Sequence, residues 1–245
     1  MAKHYFSVII PALNEEIYIG RLMRDLGKQN FKDFEVIIAD GKSEDNTVNV
    51  AKDYAKNYPL KVVSSKKRNL SHQRNIGAEN ATGEYFFFID ADNSIPKNFL
   101  EEAKNFINKY NCDVVIPKLE AEKQKPWDKL IYPFSTFLIK IFLYTPRPFS
   151  TGGNIIVKAN FFKKTNGFNE KIFVGEDHDM IRQLYENSAK MRLLTNSFVI
   201  FSTRRFEQEG LSAYLKFAFA FCYLIFFRRI ENKLYNYQMG GDNFK

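Results

Sequence analysis

Cysteine, histidine and tryptophan are all scarce in this chain. Its 245 residues include 2 Cys, 3 His and 1 Trp. Cys112 and Cys222 lie far apart, so they support neither a disulfide framework nor a zinc spacing, and they fit a reducing compartment. His4, His72 and His178 are scattered, which argues against a histidine-built metal centre. The longest unbroken apolar run, residues 217–227, ends at Arg228-Arg229. It falls short of the roughly 20 residues that a membrane-spanning helix requires. The apolar stretch 6–10 is short and meets Pro11, Asn14, Glu15 and Glu16, which is not the pattern of a secretory signal. There is no internal repeat and no low-complexity linker.

Positive charge and phenylalanine are abundant. The formal net charge is +8 and 25 residues are Phe. Such an excess of charge suits an anionic partner: nucleotide phosphates, nucleic acid or an acidic membrane face. No zinc-finger or aromatic RNA-binding signature accompanies it, so a nucleic-acid partner is not expected. At 45% hydrophobic and 26% charged, the chain can bury a sizeable core in one domain, with or without an appendage.

Through the first half, short apolar runs alternate with helical patterns. Residues 6–10, 34–39, 60–63, 85–89 and 113–117 read as strands. Between them, Ile17, Leu22 and Leu26 mark one helix face, and Val48, Ala51, Ala55 and Tyr58 a second. Residues 71–81 suit a third helix, closed by Gly83. Phe99, Leu100, Ala103, Phe106, Ile107 and Tyr110 form a further stripe, with 93–96 as the expected helix start. This alternation predicts an α/β fold with a mostly parallel central sheet. After Pro117 it stops. Residues 120–126 are polar and 130–144 mostly apolar. Residues 154–157, 191–194 and 199–202 resume strand patterns, 180–186 looks helical, and the stretch from Leu211 is aromatic and helical in pattern.

Polar clusters fall where the predicted strands end. They are 11–16, Asp40-Gly41-Lys42-Ser43, 69–77 and Asp90-Ala91-Asp92. In a parallel sheet such ends share one edge, where ligands bind. The pair Asp90 and Asp92, directly after an apolar strand, is the most informative. Charges there are costly unless they face a cleft or hold a cation, and carboxylate oxygens suit a hard divalent ion bridging to phosphate. Singly, each cluster also fits an ordinary loop, and Asp-x-Asp a strand-to-helix turn.

The ordered set resembles the family 2 glycosyltransferases of GT-A fold. The resemblance rests on residues 8–16, 37–41, Arg74-Asn75-Ile76-Gly77 and Asp90-Ala91-Asp92. Further along it includes Thr151-Gly152-Gly153-Asn154, 166–170 and Gly175-Glu176-Asp177. It implies a nucleotide-diphosphate sugar donor, UDP-linked, and a divalent cation, Mg²⁺ or Mn²⁺. It also implies inversion at the anomeric carbon. By position, Pro11, Ala12, Leu13 and Glu15 would line the nucleoside pocket, and Asp40 would bond the base. Arg74 would contact the nucleotide, Asp90 the ribose or sugar, and Asp92, with Asp90, the metal. Gly152 and Gly153 would allow close backbone approach to sugar or acceptor, or simply make a tight turn. Glu176 would border the donor, and Asp177 would be the general base. Glu176 and Asp179 compete for that role, and all three acids also suit the first turn of a helix. Asp40 stands alone before its glycine, where many relatives carry two acids. The Gln-x-x-Arg-Trp signature of processive synthases is absent, and Arg204-Arg205-Phe206 stands in that region, which favours single-sugar transfer. The arginine pair suits the diphosphate, an anionic acceptor or plain solvation.

The expected organisation is a GT-A domain over 1–205. It comprises a nucleotide-sugar half (1–118), a helical insertion (120–149) and an acceptor half (150–205). A C-terminal helical segment follows at 206–245. The lysine- and arginine-edged apolar segments 130–144 and 211–229 suggest docking on an anionic membrane surface, a buried core or a homodimer interface. The reading is therefore transfer to a glycan, a lipid-linked glycan or a polyprenyl phosphate, in the cytoplasm at the inner face of the membrane. Its rivals are a membrane-docked sugar-nucleotide-binding subunit without turnover, and a nucleotidyltransferase. The latter would want a glycine-rich phosphate loop that 11–16 lacks.

Overall fold

The computed structural model describes residues 2–122, 128–146, 148, 150, 153–172 and 175–204. Seven strands form one sheet in the order β3-β2-β1-β4-β6-β5-β7. They are β1 (His4–Ala12), β2 (Phe34–Asp40), β3 (Leu60–Ser64), β4 (Gly83–Phe88), β5 (Val114–Ala121), β6 (Ile155–Lys158) and β7 (Met191–Phe201). The block β3-β2-β1-β4 is parallel throughout. β6 runs antiparallel to both β4 and β5, and β5 pairs in parallel with β7. The helices are α1 (Ile19–Gly27), α2 (Thr47–Lys52), α3 (Leu70–Glu79), α4 (Phe99–Tyr110), α5 (Asp128–Phe142), α6 (Ala159–Phe162) and α7 (Glu176–Glu186). The mostly parallel α/β sheet expected from the sequence is thus present. The segment 206–245, with the apolar stretch 211–229, lies outside the described residues.

The sheet is covered on both faces, and the alternation of side chains along each strand divides the core. Phe6, Val8, Ile10 and Phe87 pack on one side with Leu22 and Met23 of α1 and Phe99 and Leu100 of α4. Ile9, Phe86 and Phe88 turn to the other side and meet Phe162, Phe168, Met180 and Ile181. A strand buried on both faces must be apolar throughout, which is why these runs lack a polar alternation. Gly77 lets α3 lie close on β1, because a Cβ there would collide with Cγ2 of Ile9. That approach carries Arg74, one turn earlier, to the strand ends.

Several local expectations change. Residues 93–96 do not start a helix; α4 begins at Phe99. Ser94 instead bridges Ile200 of β7, and the buried Asn93 amide donates to Asn154 while its carbonyl oxygen accepts from the Ser202 N–H. Satisfying a buried amide outweighs early helix initiation. The patterns at 191–194 and 199–202 are one strand, with a register shift opposite Pro117/Lys118 that absorbs the polar Thr195-Asn196-Ser197. Ile17 precedes α1 and is exposed, as is Tyr110 at the end of α4. α2 ends at Lys52, so Ala55 is not on it. Tyr58 is nonetheless buried, its hydroxyl donating to the Met23 carbonyl.

Candidate active site

Parallel pairing places the ends of β1, β2 and β4 on one edge, and the expected acids gather there. Pro11, Ala12 and Leu13 are buried at the end of β1. Next to them, Asp40 ends β2. Its carboxylate accepts the backbone N–H groups of Lys42 and Ser43 at 3.0–3.3 Å. The carboxylate therefore shapes its own loop, as short acidic side chains do in turns. With three of about four lone-pair sites engaged, one on Oδ1 remains for a donor from outside. Gln73 ties the edges of β1 and β2 together, its amide donating to the carbonyls of Ala12 and Ala39.

Arg74 is the hub. It is 1% exposed. Its guanidinium donates to Asp90 at 2.9 Å and to Glu176 at 2.7 Å, and it lies 5.2 Å from the centre of the Phe168 ring. It is therefore no surface arginine. Burial works against its charge, but Asp90, Glu176 and Asp177 outweigh that and push its pKa up. Nε of Arg74 is buried without a partner among the described residues. Gly153 completes the cradle. Its φ is +65°, and a Cβ there would collide with the Arg74 guanidinium. Gly153 thus makes a close backbone approach to an arginine. Gly152 lies outside the described residues.

α7 starts at Glu176 behind Gly175, whose φ of +89° suits a glycine. The three acids of its first turn have different fates. Glu176 is held by Arg74, and burial pushes its carboxyl up against that pull. Asp179 faces its own helix, accepting from Gln183 at 2.9 Å beside Arg182. Asp177 is 7% exposed and its carboxylate accepts the backbone N–H groups of Gly153 (3.3 Å) and His178 (2.9 Å). Of the three, Asp177 is held by backbone N–H groups of Gly153 and His178 and, among the described residues, by no guanidinium hydrogen bond. His178 packs against it, 3.8 Å from Nε2 to the carboxylate, and burial pushes the imidazole pKa down. In the sequence, only its place directly after Asp177 points to His178.

Asp92 and Glu15 form the other side of the cluster. Arg204 spans both, with a bidentate pair to Glu15 at 2.8 and 2.9 Å and Nε 3.2 Å from Asp92. Arg21 donates to the Asp92 carbonyl. Burial pushes Asp92 up, Arg204 pulls it down, and Asp90 adds to the rise. The Glu15 carboxyl is pushed up to about 7, mainly by burial, with Asp92 and Asp90 adding to it against Arg204. Asp90 and Asp92 are thus close enough to feel each other. Their oxygens form the hard donor set a divalent cation takes. Among the described residues no group of three or more His, Cys, Asp or Glu could hold a metal ion. Two carboxylates would leave most of such a cation's ligands to phosphate oxygens and water. Arg204 was noted in the sequence only as one of a basic pair. Its partners are 189 and 112 positions away, a distance no local pattern spans.

The glycosyl transferase family 2 model matches residues 7–165. The chain belongs to that family. TarS of Staphylococcus aureus, a poly(ribitol-phosphate) β-N-acetylglucosaminyltransferase, is 28% identical over 218 residues, covering 86% of this chain and 37% of TarS. The cholesterol galactosyltransferase of Borreliella burgdorferi is 26% identical over 213 residues, 80% of this chain and 59% of that protein. The crystal structure of TarS residues 1–349 with UDP-GlcNAc aligns with a TM-score of 0.69 at 26% identity, covering 80% of this chain and 58% of that one. The chain thus spans little more than a third of full-length TarS. In this family 2 chain the GT-A expectation for the fold holds.

Proposed function

We propose that this protein transfers a single sugar from a nucleotide-diphosphate sugar, UDP-linked, to a hydroxyl acceptor with inversion at the anomeric carbon. The observation that carries the reading is the opposition of two acidic groups across Arg74. Asp90 and Asp92 follow β4, Asp177 lies in the first turn of α7, and the guanidinium joins Asp90 to Glu176 directly beside Asp177. The UDP-sugar in the related TarS structure supports the choice of donor.

In this mechanism the acceptor oxygen attacks the anomeric carbon, and the bond to the diphosphate oxygen breaks. Asp177 takes the hydroxyl proton, while the nucleotide diphosphate leaves with the bonding electrons. Such a base typically contributes ~10²–10⁴-fold. Asp90 and Asp92 would hold Mg²⁺ or Mn²⁺, which when bound neutralises charge on the leaving group. Pro11, Ala12, Leu13 and Asp40 would receive the nucleoside. The backbone bonds from Gly153 and His178 fix the Asp177 carboxylate, so its proton-accepting oxygen is oriented before the acceptor arrives.

The acceptor belongs to a surface glycan or lipid-linked glycan, met at an anionic membrane. Phe134, Phe137, Ile141 and Tyr144 are exposed. They fall three or four residues apart along α5 and the turn after it, which makes one stripe. The neighbouring Lys140 is exposed as well, and Arg192 bonds the Tyr144 hydroxyl. An apolar stripe edged by basic groups suits the interface of an acidic leaflet. Among the described residues no helix is long and apolar enough to cross a membrane. Flotation with phosphatidylglycerol vesicles should carry the protein upward, and Phe134→Ser/Phe137→Ser should leave it behind.

The central test separates binding from transfer. Asp177→Asn should keep UDP-sugar binding by calorimetry and lose transfer, whereas Asp92→Asn should weaken Mg²⁺-dependent donor binding. Near-wild-type turnover in Asp177→Asn would end the base assignment, and full activity in excess chelator would end the metal role.

A further inference from the structure

Arg204 occupies an unusual place. It follows β7, which lies at one edge of the sheet, yet its guanidinium closes on acids at the ends of β1 and β4. Glu15 receives two of its nitrogens and Asp92 the third. The guanidinium carbon stands 4.6 Å from the centre of the Tyr18 ring, so the planar group is both hydrogen-bonded and stacked. All three nitrogens face acid, and both acids are largely buried, with side-chain exposures of 9% for Glu15 and 17% for Asp92. A cation taken by Asp92 and this guanidinium would compete for the same carboxylate.

We infer that Arg204 is a displaceable internal counter-ion, a positioning residue that holds Asp92 until a divalent cation displaces it. The inference rests on the proposed role of Asp90 and Asp92 toward that cation. The physical argument is one of compensation. Two or three buried carboxylates side by side repel each other and are costly to leave unpaired. The single guanidinium of Arg204 offsets part of that charge. A divalent ion can replace its charge, and a diphosphate arriving with the ion supplies the remaining oxygen ligands that hold it there. A bare ion must first break the guanidinium contact, so its apparent affinity falls by the fraction of molecules in which Arg204 has already let go. The device makes cation binding depend on the donor: the acids are reserved until ion and diphosphate arrive together.

The test is binding of Mn²⁺ alone and of Mn²⁺ with UDP, read as the loss of the free-ion electron paramagnetic resonance signal beyond that which the same UDP causes without protein, and without any turnover. In the wild type, UDP should tighten Mn²⁺ binding strongly. Arg204→Gln should tighten Mn²⁺ binding without UDP by roughly tenfold or more, the factor expected if the released state is a tenth of molecules or fewer. The gain should vanish in Arg204→Gln/Asp92→Asn, which assigns it to this site. Tyr18→Leu, which removes only the stacking ring, should give a smaller gain and serves if Arg204→Gln does not fold. Unchanged or weaker Mn²⁺ binding in the folded variants, with the wild type still binding Mn²⁺ alongside UDP, would overturn the counter-ion role. No Mn²⁺ binding in any variant, with or without UDP, would instead overturn the metal reading beneath it.

Discussion

Replacing Arg74 by methionine removes the charge at the centre of the site while keeping most of the side-chain volume. The arginine is fully buried and pairs with Asp90 and Glu176, whose side chains are 28% and 13% exposed. Removing one partner of a buried ion pair typically costs 3–5 kcal/mol, because the remaining charge is stranded. Asp90 keeps some access to water, so most of the cost falls on Glu176. The lower end of the range, about 3 kcal/mol, is therefore expected. Against a total stability of about 5–15 kcal/mol this is a large loss. With a urea m-value of roughly 2 kcal/mol/M, it moves the unfolding midpoint down by about 1.5 M. Equilibrium urea unfolding followed by circular dichroism measures it directly. Arg74→Met/Glu176→Gln should recover a substantial part, since the stranded charge is gone. The reasoning fails if Arg74→Met costs less than about 1 kcal/mol at unchanged m, the size expected of an exposed pair. It fails equally if the second substitution recovers nothing.

Gly153→Ala should displace the Arg74 guanidinium and force alanine to a positive φ. Thermal unfolding should show a loss of about 1–3 kcal/mol from the backbone conformation alone, and UDP-sugar turnover should fall with it. Asn75→Ala removes both bonds that the Asn75 side chain makes to the Phe168 backbone, at 2.8 and 2.9 Å. A loss of about 2 kcal/mol in urea unfolding is expected, about 1 for each bond. Glu35 gives the pH dependence. Burial raises its pKa, but hydrogen bonds from Ser7 and Thr82 outweigh burial and hold it below the usual value of 4.5. A lowered carboxyl pKa stabilises the fold above the unfolded value and is lost as pH falls below it. Glu35→Gln should therefore be less stable at pH 7 and flatter across the acid limb, as thermal unfolding from pH 7 to pH 3 would record.

The central strands β1, β2 and β4 were legible because burial on both faces leaves little room for polar residues. The runs ending at Asp40 and Asp90 therefore declared both a strand and its end. The acids of α7 were legible as a group but not as individuals. Glu176, Asp177 and Asp179 sit in one turn with the same helical pattern, and only their partners, Arg74, Gly153 and Gln183, separate them. The misread start at 93–96 has the same origin. Asn93 looks like a cap locally, but its amide is claimed by Asn154 and Ser202, far along the chain.

The linear chain by itself determined the α/β layering, the strand ends and the acidic pair at Asp90 and Asp92, because those depend on hydrophobic period and on chemistry within a few residues. Only the tertiary structure decided which charge meets which. Arg74 became a buried hub rather than a solvated helix residue, and Arg204 was drawn onto Glu15 and Asp92. Ion pairing is set by distance through space, and a sheet folds residues nearly two hundred positions apart into contact.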